Sequence, residues 1–314
     1  MTIVFVNRFC YPDHSATSQI VSDLAASLAA SGLSVVLVAS RLSYDNPNAQ
    51  LPAREQWKSI NIHRVWTSRF GRAHLLGRLL DYMTFYLSLP WTLWRILRRG
   101  DVVIAKTDPP LISLLVAPIA WVRGAVLVNW LQDVFPELAV AMGEPKIPRL
   151  LTRILQTLRN KSLRLAAMNV VIGERMSEYF HTQGISTKHL RVIPNWAHEA
   201  DISPMPSSQS QLRQSLKLTD KFVVGYSGNL GRAHDPETIF DAAWQLRDAS
   251  HIIFLITGGG HGYEQLRLRA SHAGLLTILF QPYQPIEKLS DSMAAADLHL
   301  HRLHRRRRDS HRAN

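Results

Sequence analysis

Phe222-Val-Val-Gly-Tyr-Ser-Gly-Asn-Leu-Gly-Arg-Ala-His-Asp235 decides the fold. Its apolar opening reads as a buried strand ending at Gly225–Ser227. A glycine-bearing loop follows, carrying Asn229, Arg232 and His234, and a helix begins near Asp235, a residue type favoured as an N-cap. A strand that runs through glycines into a helix lets backbone N–H groups converge on an anion, and the helix N-terminus adds partial positive charge. Gly228, Asn229, Arg232 and His234 are therefore candidate ligands of a phosphate, with Arg232 suited to bidentate pairing with a diphosphate. A second turn of this kind lies in Ile252-Ile-Phe-Leu-Ile-Thr-Gly-Gly-Gly-His-Gly262. Four glycines in its last five residues, Gly258, Gly259 and Gly260 among them, exceed what a tight turn requires.

Outward from these turns, short β-rich runs alternate with helical patterns, which predicts α/β architecture with parallel sheets. Towards the C-terminus come helix Pro236–Leu246, strand His251–Thr257, helix Tyr263–Ala273, strand Leu276–Phe280, helix Ile286–Ala295 and strand Asp297–Leu300. Towards the N-terminus, the Ser-, Pro- and Gln-rich residues 200–214 read as a linker. Before them a first series runs from strand Thr2–Val6 through a helix from near Ser15 to Gly32. Strands Ser34–Ala39, Ile60–Val65, Val102–Ala105, Ala125–Asn129, Asn169–Ile172 and Leu190–Ile193 follow, with helices Leu111–Val122 and Pro148–Leu165 between them. The expected domains are 1–199 and 215–300. The second is read as incomplete, because the Arg/His-rich residues 301–314 replace the βα alternation at once and suggest a non-native or disordered tail.

A single cysteine, Cys10, excludes a disulfide framework and a cysteine-based zinc site, and suits a reducing cytoplasm. The formal charge of +12 points to an anionic partner. Residues 301–314 and Arg69–Arg99 each carry +5, so the remainder is nearly neutral. The second of these stretches mixes arginines with Trp66, Phe70, Tyr82, Phe85, Tyr86, Trp91 and Trp94, and reads either as core packing or as an interfacial, amphipathic helix on anionic membrane. Leu79–Leu97, broken by Asp81, Pro90 and Arg95, is too interrupted to span a bilayer. No signal peptide is visible in the sequence. The first βα turn, Asn7–Ser15, has no glycine, which disfavours a nicotinamide dehydrogenase, and no reader motif supports nucleic-acid binding.

Tyr226-Ser-Gly-Asn-Leu-Gly-Arg-Ala-His234, Val192-Ile-Pro-Asn-Trp196, Leu255-Ile-Thr-Gly-Gly-Gly260, Asn129-Trp-Leu-Gln-Asp-Val-Phe-Pro-Glu137 and Tyr11-Pro-Asp-His-Ser-Ala-Thr-Ser-Gln19 together resemble the family 4 glycosyltransferases, in the bacterial branch that builds surface polysaccharides on lipid carriers. The resemblance covers residues 2 to about 300. It implies a GT-B fold, two Rossmann-like doubly wound domains facing a cleft, and transfer from a nucleotide-sugar, expected to be UDP-linked, to a lipid-linked saccharide. It further implies a retaining reaction with no metal or other cofactor, at the inner face of the cytoplasmic membrane. Many members clamp the diphosphate with an Arg and a Lys five residues apart. Asn229 and His234 stand at those spacings here, with Arg232 between them. Where many members have His-Asp, this chain has Gln132-Asp133. These two are the expected catalytic residues, touching sugar hydroxyls, with Asp133 steadying oxocarbenium-like charge or only capping a helix.

Asn195 is expected at the donor edge or in the hinge, and His14, Ser15 and Glu174 at the acceptor. Their plainer readings are a loop histidine, a helix cap and a first-turn helix glutamate. The family's paired glutamates, which hold the donor, should follow Leu300 and are not found there. Two alternatives therefore stand beside the transferase: an inactive remnant that binds anionic membrane, and a sugar-nucleotide epimerase of the same fold.

Overall fold

The Val- and Ile-rich runs fold as parallel strands with helices on their faces, as continuous hydrophobicity predicts for such sheets. The computed structural model describes residues 1–13, 15–43, 49–70, 75–141, 148–196, 202–231 and 234–301. They divide into two units, Met1–Trp196 and Ala197–Asn314.

In the first unit the strands are β1 (Thr2–Val6), β2 (Ser34–Ser40), β3 (Arg54–Trp57), β4 (Ile60–Val65), β5 (Val102–Lys106), β6 (Val126–Leu131), β7 (Met168–Val171) and β8 (Leu190–Val192). They lie in the order β3-β4-β2-β1-β5-β6-β7-β8, and only the β3–β4 pair is antiparallel. The helices are α1 (Ala16–Ala30), α2 (Leu75–Ile96), α3 (Ser113–Arg123), α4 (Glu137–Ala141), α5 (Arg149–Leu165) and α6 (Glu174–Thr182). One sheet face is sealed by α2 and α3, whose Phe85, Leu89, Leu93 and Val116, together with Leu97 just past α2, are fully buried against Val4, Val6 and Val103. Each of these large side chains contributes roughly 1.5–3 kcal/mol by leaving water. The other face packs Phe5, Leu37 and Ile62 against Ile20, Val21 and Ala25 of α1.

The sequence gives no sign of β3. Arg54-Glu-Gln-Trp57 is polar because it forms a sheet edge, and its turn uses Lys58 and Ser59, both at positive φ, instead of the usual glycine. Trp57 stacks on Tyr11 with ring centroids 4.3 Å apart, which fastens this hairpin to the loop after β1.

The second unit contains α7 (Gln211–Ser215), β9 (Phe222–Asn229), α8 (Pro236–Gln245), β10 (Ile252–Gly259), α9 (His261–His272), β11 (Ile278–Gln281), α10 (Leu289–Ala294) and β12 (Leu298–His299). Its strands are all parallel, in the order β11-β10-β9-β12. The expected helix over Ile286–Ala295 divides into a 3-10 turn, Ile286–Lys288, followed by α10. The segment read as a linker is partly structured: Ser207–Gln209 is a 3-10 turn, and α7 is capped by the Ser210 hydroxyl, which accepts from Arg213 N at 3.1 Å. Serine there is a helix start, a role that composition alone does not distinguish from a flexible connection. Arg213 is buried, donating to Asp297 Oδ1 at 2.9 Å and to the Lys221 carbonyl at 2.7 Å. It thereby ties α7 to the starts of the paired strands β9 and β12.

Candidate active site

Strands β9 and β10 pair in register through Gly228↔Gly258 and Asn229↔Gly259. Both therefore run further than the sequence indicates, and Gly228, Asn229, Gly258 and Gly259 belong to strand ends rather than to free loops. The two turns adjoin at the carboxyl edge of the sheet: Leu230 N donates to the Gly259 carbonyl and Gly262 N to the Leu230 carbonyl, each at 2.8 Å. This contact accounts for much of the glycine. A Cβ on Gly258, which has φ +141°, would collide with the Gly228 carbonyl oxygen, and one on Gly260, at φ +108°, with the Asn229 side chain. Helix α9 leaves this edge with Gly260 at its N-cap and no side-chain cap. Asp235 caps α8, its carboxylate accepting from Glu237 N at 3.1 Å and from the Thr238 hydroxyl at 3.2 Å. His234 closes its own loop, Nδ1 accepting from Gly231 N at 3.2 Å, and packs edge-on against Tyr226. Arg232 lies outside the described residues.

In the first unit the corresponding edge is formed by the loops after β1, β5, β6 and β7. Gln132, just past β6, is buried. Its Oε1 accepts from Asn195 Nδ2 at 2.9 Å, while its Nε2 has no partner among the described residues. Asn195, expected at the donor edge, thus orients Gln132. Trp130, the residue before Leu131 in β6, is also buried with its indole N–H unmatched among the described residues, and stacks on Trp196 at 5.8 Å. Two unmatched buried donors at one strand end require an explanation, and a ligand oxygen supplies one. Asp133 stands at the surface of the turn, where the surrounding chain withdraws enough water to raise its carboxyl above the ordinary carboxylate range. The described contacts give this carboxylate no helix to cap, since α4 starts only at Glu137.

The turn is held from behind. Buried Arg159 of α5 donates to the Phe135 carbonyl at 2.9 Å and to Glu137 Oε2 at 2.5 Å, and Tyr179 of α6 donates to Glu137 Oε1. Burial works against the Glu137 charge, but these bonds outweigh it and keep the carboxyl below its usual range. On the β1 side, Arg8 is buried between the Phe9 and Tyr82 rings and faces Asp81 of α2 at 3.6 Å.

Lys106, at the end of β5, is almost fully enclosed. Its Nζ lies 4.1 Å from the Trp130 ring centre and donates to the Thr17 carbonyl at 3.0 Å. Burial pushes it down to about 7, against a smaller upward pull from Asp108. The apolar run predicts a strand ending at Ala105, whereas β5 continues through Lys106. The detectable signal was a lysine directly continuing a Val-Val-Ile-Ala run.

The acceptor candidates are less gathered. His14 lies outside the described residues. Ser15 occupies the N-cap position of α1 but makes no side-chain cap bond, and its buried Oγ has no partner among the described residues. Glu174 is exposed in the first turn of α6, beyond β7.

Residues 15–196 match the glycosyl transferase 4-like domain. The chain belongs to that family. The family segment includes Ser15, the Gln132–Asp133 turn, Glu174 and Asn195. A Pseudomonas aeruginosa protein named as a probable glycosyltransferase, WbjE, is 28% identical over 203 residues, which are 65% of this chain and 50% of that protein. Escherichia coli (strain K12) WcaI, named for glycosyl transfer in colanic acid biosynthesis, is 25% identical over 275 residues, 79% of this chain and 66% of WcaI. The chain thus spans between half and two thirds of these relatives' lengths.

Among solved structures, Anabaena HepE with UDP and glucose aligns at TM-score 0.65 and 18% identity, covering 95% of this chain and 73% of HepE. Sucrose-phosphate synthase from Thermosynechococcus elongatus aligns at TM-score 0.67 and 14% identity, covering 95% and 74%. Both are GT-B glycosyltransferases, and at such identities the likeness concerns the fold.

Proposed function

We propose that this glycosyltransferase 4-like chain transfers a sugar from a UDP-linked donor to a hydroxyl of a lipid-linked saccharide during assembly of cell-surface polysaccharide. The observation that carries the reading is the Gln132–Asp133 turn. A buried carboxamide N–H with no partner among the described residues stands beside a carboxyl whose proton affinity is raised, both at the carboxyl end of a parallel sheet. Ligands bind at that end of doubly wound sheets. The nucleotide diphosphate belongs to the adjoining turns after β9 and β10, where the start of α9, which has no side-chain cap, favours an anion. HepE, solved with UDP and glucose, and WcaI, named for colanic acid biosynthesis, support the donor class and the polysaccharide role.

In the reaction the bond from the anomeric carbon to the phosphate oxygen breaks. The acceptor hydroxyl oxygen bonds to that carbon, and its proton leaves with the UDP. Gln132 Nε2 donates to a sugar oxygen, and Asp133 carries negative charge towards the developing oxocarbenium, with the configuration retained. Mass spectrometry of lipid-linked products, formed from a panel of UDP-sugars, tests the proposal. Acceptor-dependent glycosylation is expected, with Asp133→Asn and Gln132→Glu each lowering turnover on the order of a hundredfold, the usual effect of losing one transition-state contact. Undiminished turnover in both variants would refute the assignment.

A further inference from the structure

Helix α2 has two apolar faces where a surface helix has one. Phe85, Leu89 and Leu93 are fully buried against the sheet. On the opposite side Leu76, Leu80, Met83, Leu87, Trp91 and Trp94 recur at intervals of three or four residues and remain between 46% and 75% exposed. The stripe is extended by α3, whose last turn presents Trp121, 83% exposed, and Val122. The two helix ends are joined there, with Arg123 donating to the Leu97 carbonyl at 2.8 Å and lying over the Trp94 ring at 5.3 Å.

The charge around this surface has one sign. Arg78, Arg95, Arg98 and Arg99 are exposed, whereas the acidic residues of the same stretch, Asp81 and Asp101, are buried at 1% and 4% exposure. Asp81 accepts from Ser68 and Phe70, and Asp101 from Thr2 and Arg98.

We infer that the outer face of α2, with the end of α3, docks on an anionic lipid bilayer. An apolar stripe ending in tryptophans and flanked by arginines has the chemistry of the boundary between headgroups and acyl chains. A second copy of the chain would set the same arginines against each other. A water-facing role leaves the exposed large apolar patch unexplained. No described helix is long and apolar enough to cross the membrane, so attachment is along the surface. This inference does not rest on sugar transfer, and its test needs neither donor nor acceptor.

The test is co-sedimentation of the full chain, at low salt, with vesicles of phosphatidylcholine alone or mixed with phosphatidylglycerol. Binding is expected only to the mixed vesicles. The variant R95Q/R98Q/R99Q should bind on the order of a hundredfold more weakly, since each arginine near an anionic surface gives about fivefold. R95K/R98K/R99K should bind nearly as wild type. The outward substitution M83E/L87E should also lose binding, with each variant's melting temperature unchanged because these side chains are exposed. The arginines beyond His301 are common to every variant, so a loss is assigned to α2. The inference is overturned if the chain stays in solution with phosphatidylglycerol vesicles, or if M83E/L87E binds as wild type. A concentration-dependent dimer that M83E/L87E dissolves would overturn it too.

Discussion

Asn195 fixes which end of the Gln132 carboxamide points outward. With Asn195 Nδ2 donating to Oε1, Nε2 is left to donate to a ligand. Asn195→Asp replaces that donor by an acceptor, so Gln132 must turn over and present Oε1 instead. A sugar oxygen that only accepts then loses its partner, and losses of this kind amount to about 1–3 kcal/mol. Donor KM should rise accordingly in steady-state assays, and an unchanged KM would show that the carboxamide touches no substrate.

Lys106 makes a separate prediction about stability. Its pKa in the fold is about 7, against 10.5 for a free lysine. Below the lower value both folded and unfolded chains hold the proton, so the fold bears the full penalty of a buried ammonium. Between the two values the unfolded chain binds the extra proton, and stability therefore rises with pH. Lys106→Met removes the titration. The variant should be the more stable at pH 6, with the gap closing by at most about 1.4 kcal/mol per pH unit above neutrality. Denaturant titrations at several pH values check this, and a gap independent of pH would contradict it.

At the level of elements, the adjoining glycine turns are the most sensitive feature. Gly258→Ala both meets the Gly228 carbonyl and forces an alanine to φ +141°, whereas Gly228→Ala has the same φ but open space around the new methyl. Urea unfolding should therefore find Gly258→Ala the more destabilising, by roughly 1–3 kcal/mol as expected for overpacking. Equal losses would mean that dihedral strain alone governs both sites.

These turns also indicate how far sequence can be read. The glycine runs at 225–231 and 258–262 are plain in the chain, but half of their reason is that each turn packs on the other, a contact between residues about thirty apart. The central strands are legible because Val and Ile runs have a single use in a parallel sheet. Strand β3 is not, because polar residues serve edges and loops equally. Nor is the Gln132–Asn195 bond, which joins residues 63 positions apart. The outward stripe of α2 has the same helical period as its inward one, and only burial separates core from surface.

Over the whole molecule, two sheets carry two kinds of chemistry. The first, within the glycosyl transferase 4-like domain, ends in buried unmatched donors and a carboxyl of raised proton affinity. The second ends in two glycine turns packed on each other and in a helix start with no side-chain cap. The proposed function needs both, a place for the group transferred and a place for the nucleotide that leaves. The central claim is that the nucleotide sits where the turns after β9 and β10 adjoin. Hydrogen–deuterium exchange on the chain with and without UDP tests it most directly. The account predicts slowed exchange confined to residues 227–236 and 257–264, whereas saturating UDP that left both segments unprotected would contradict it.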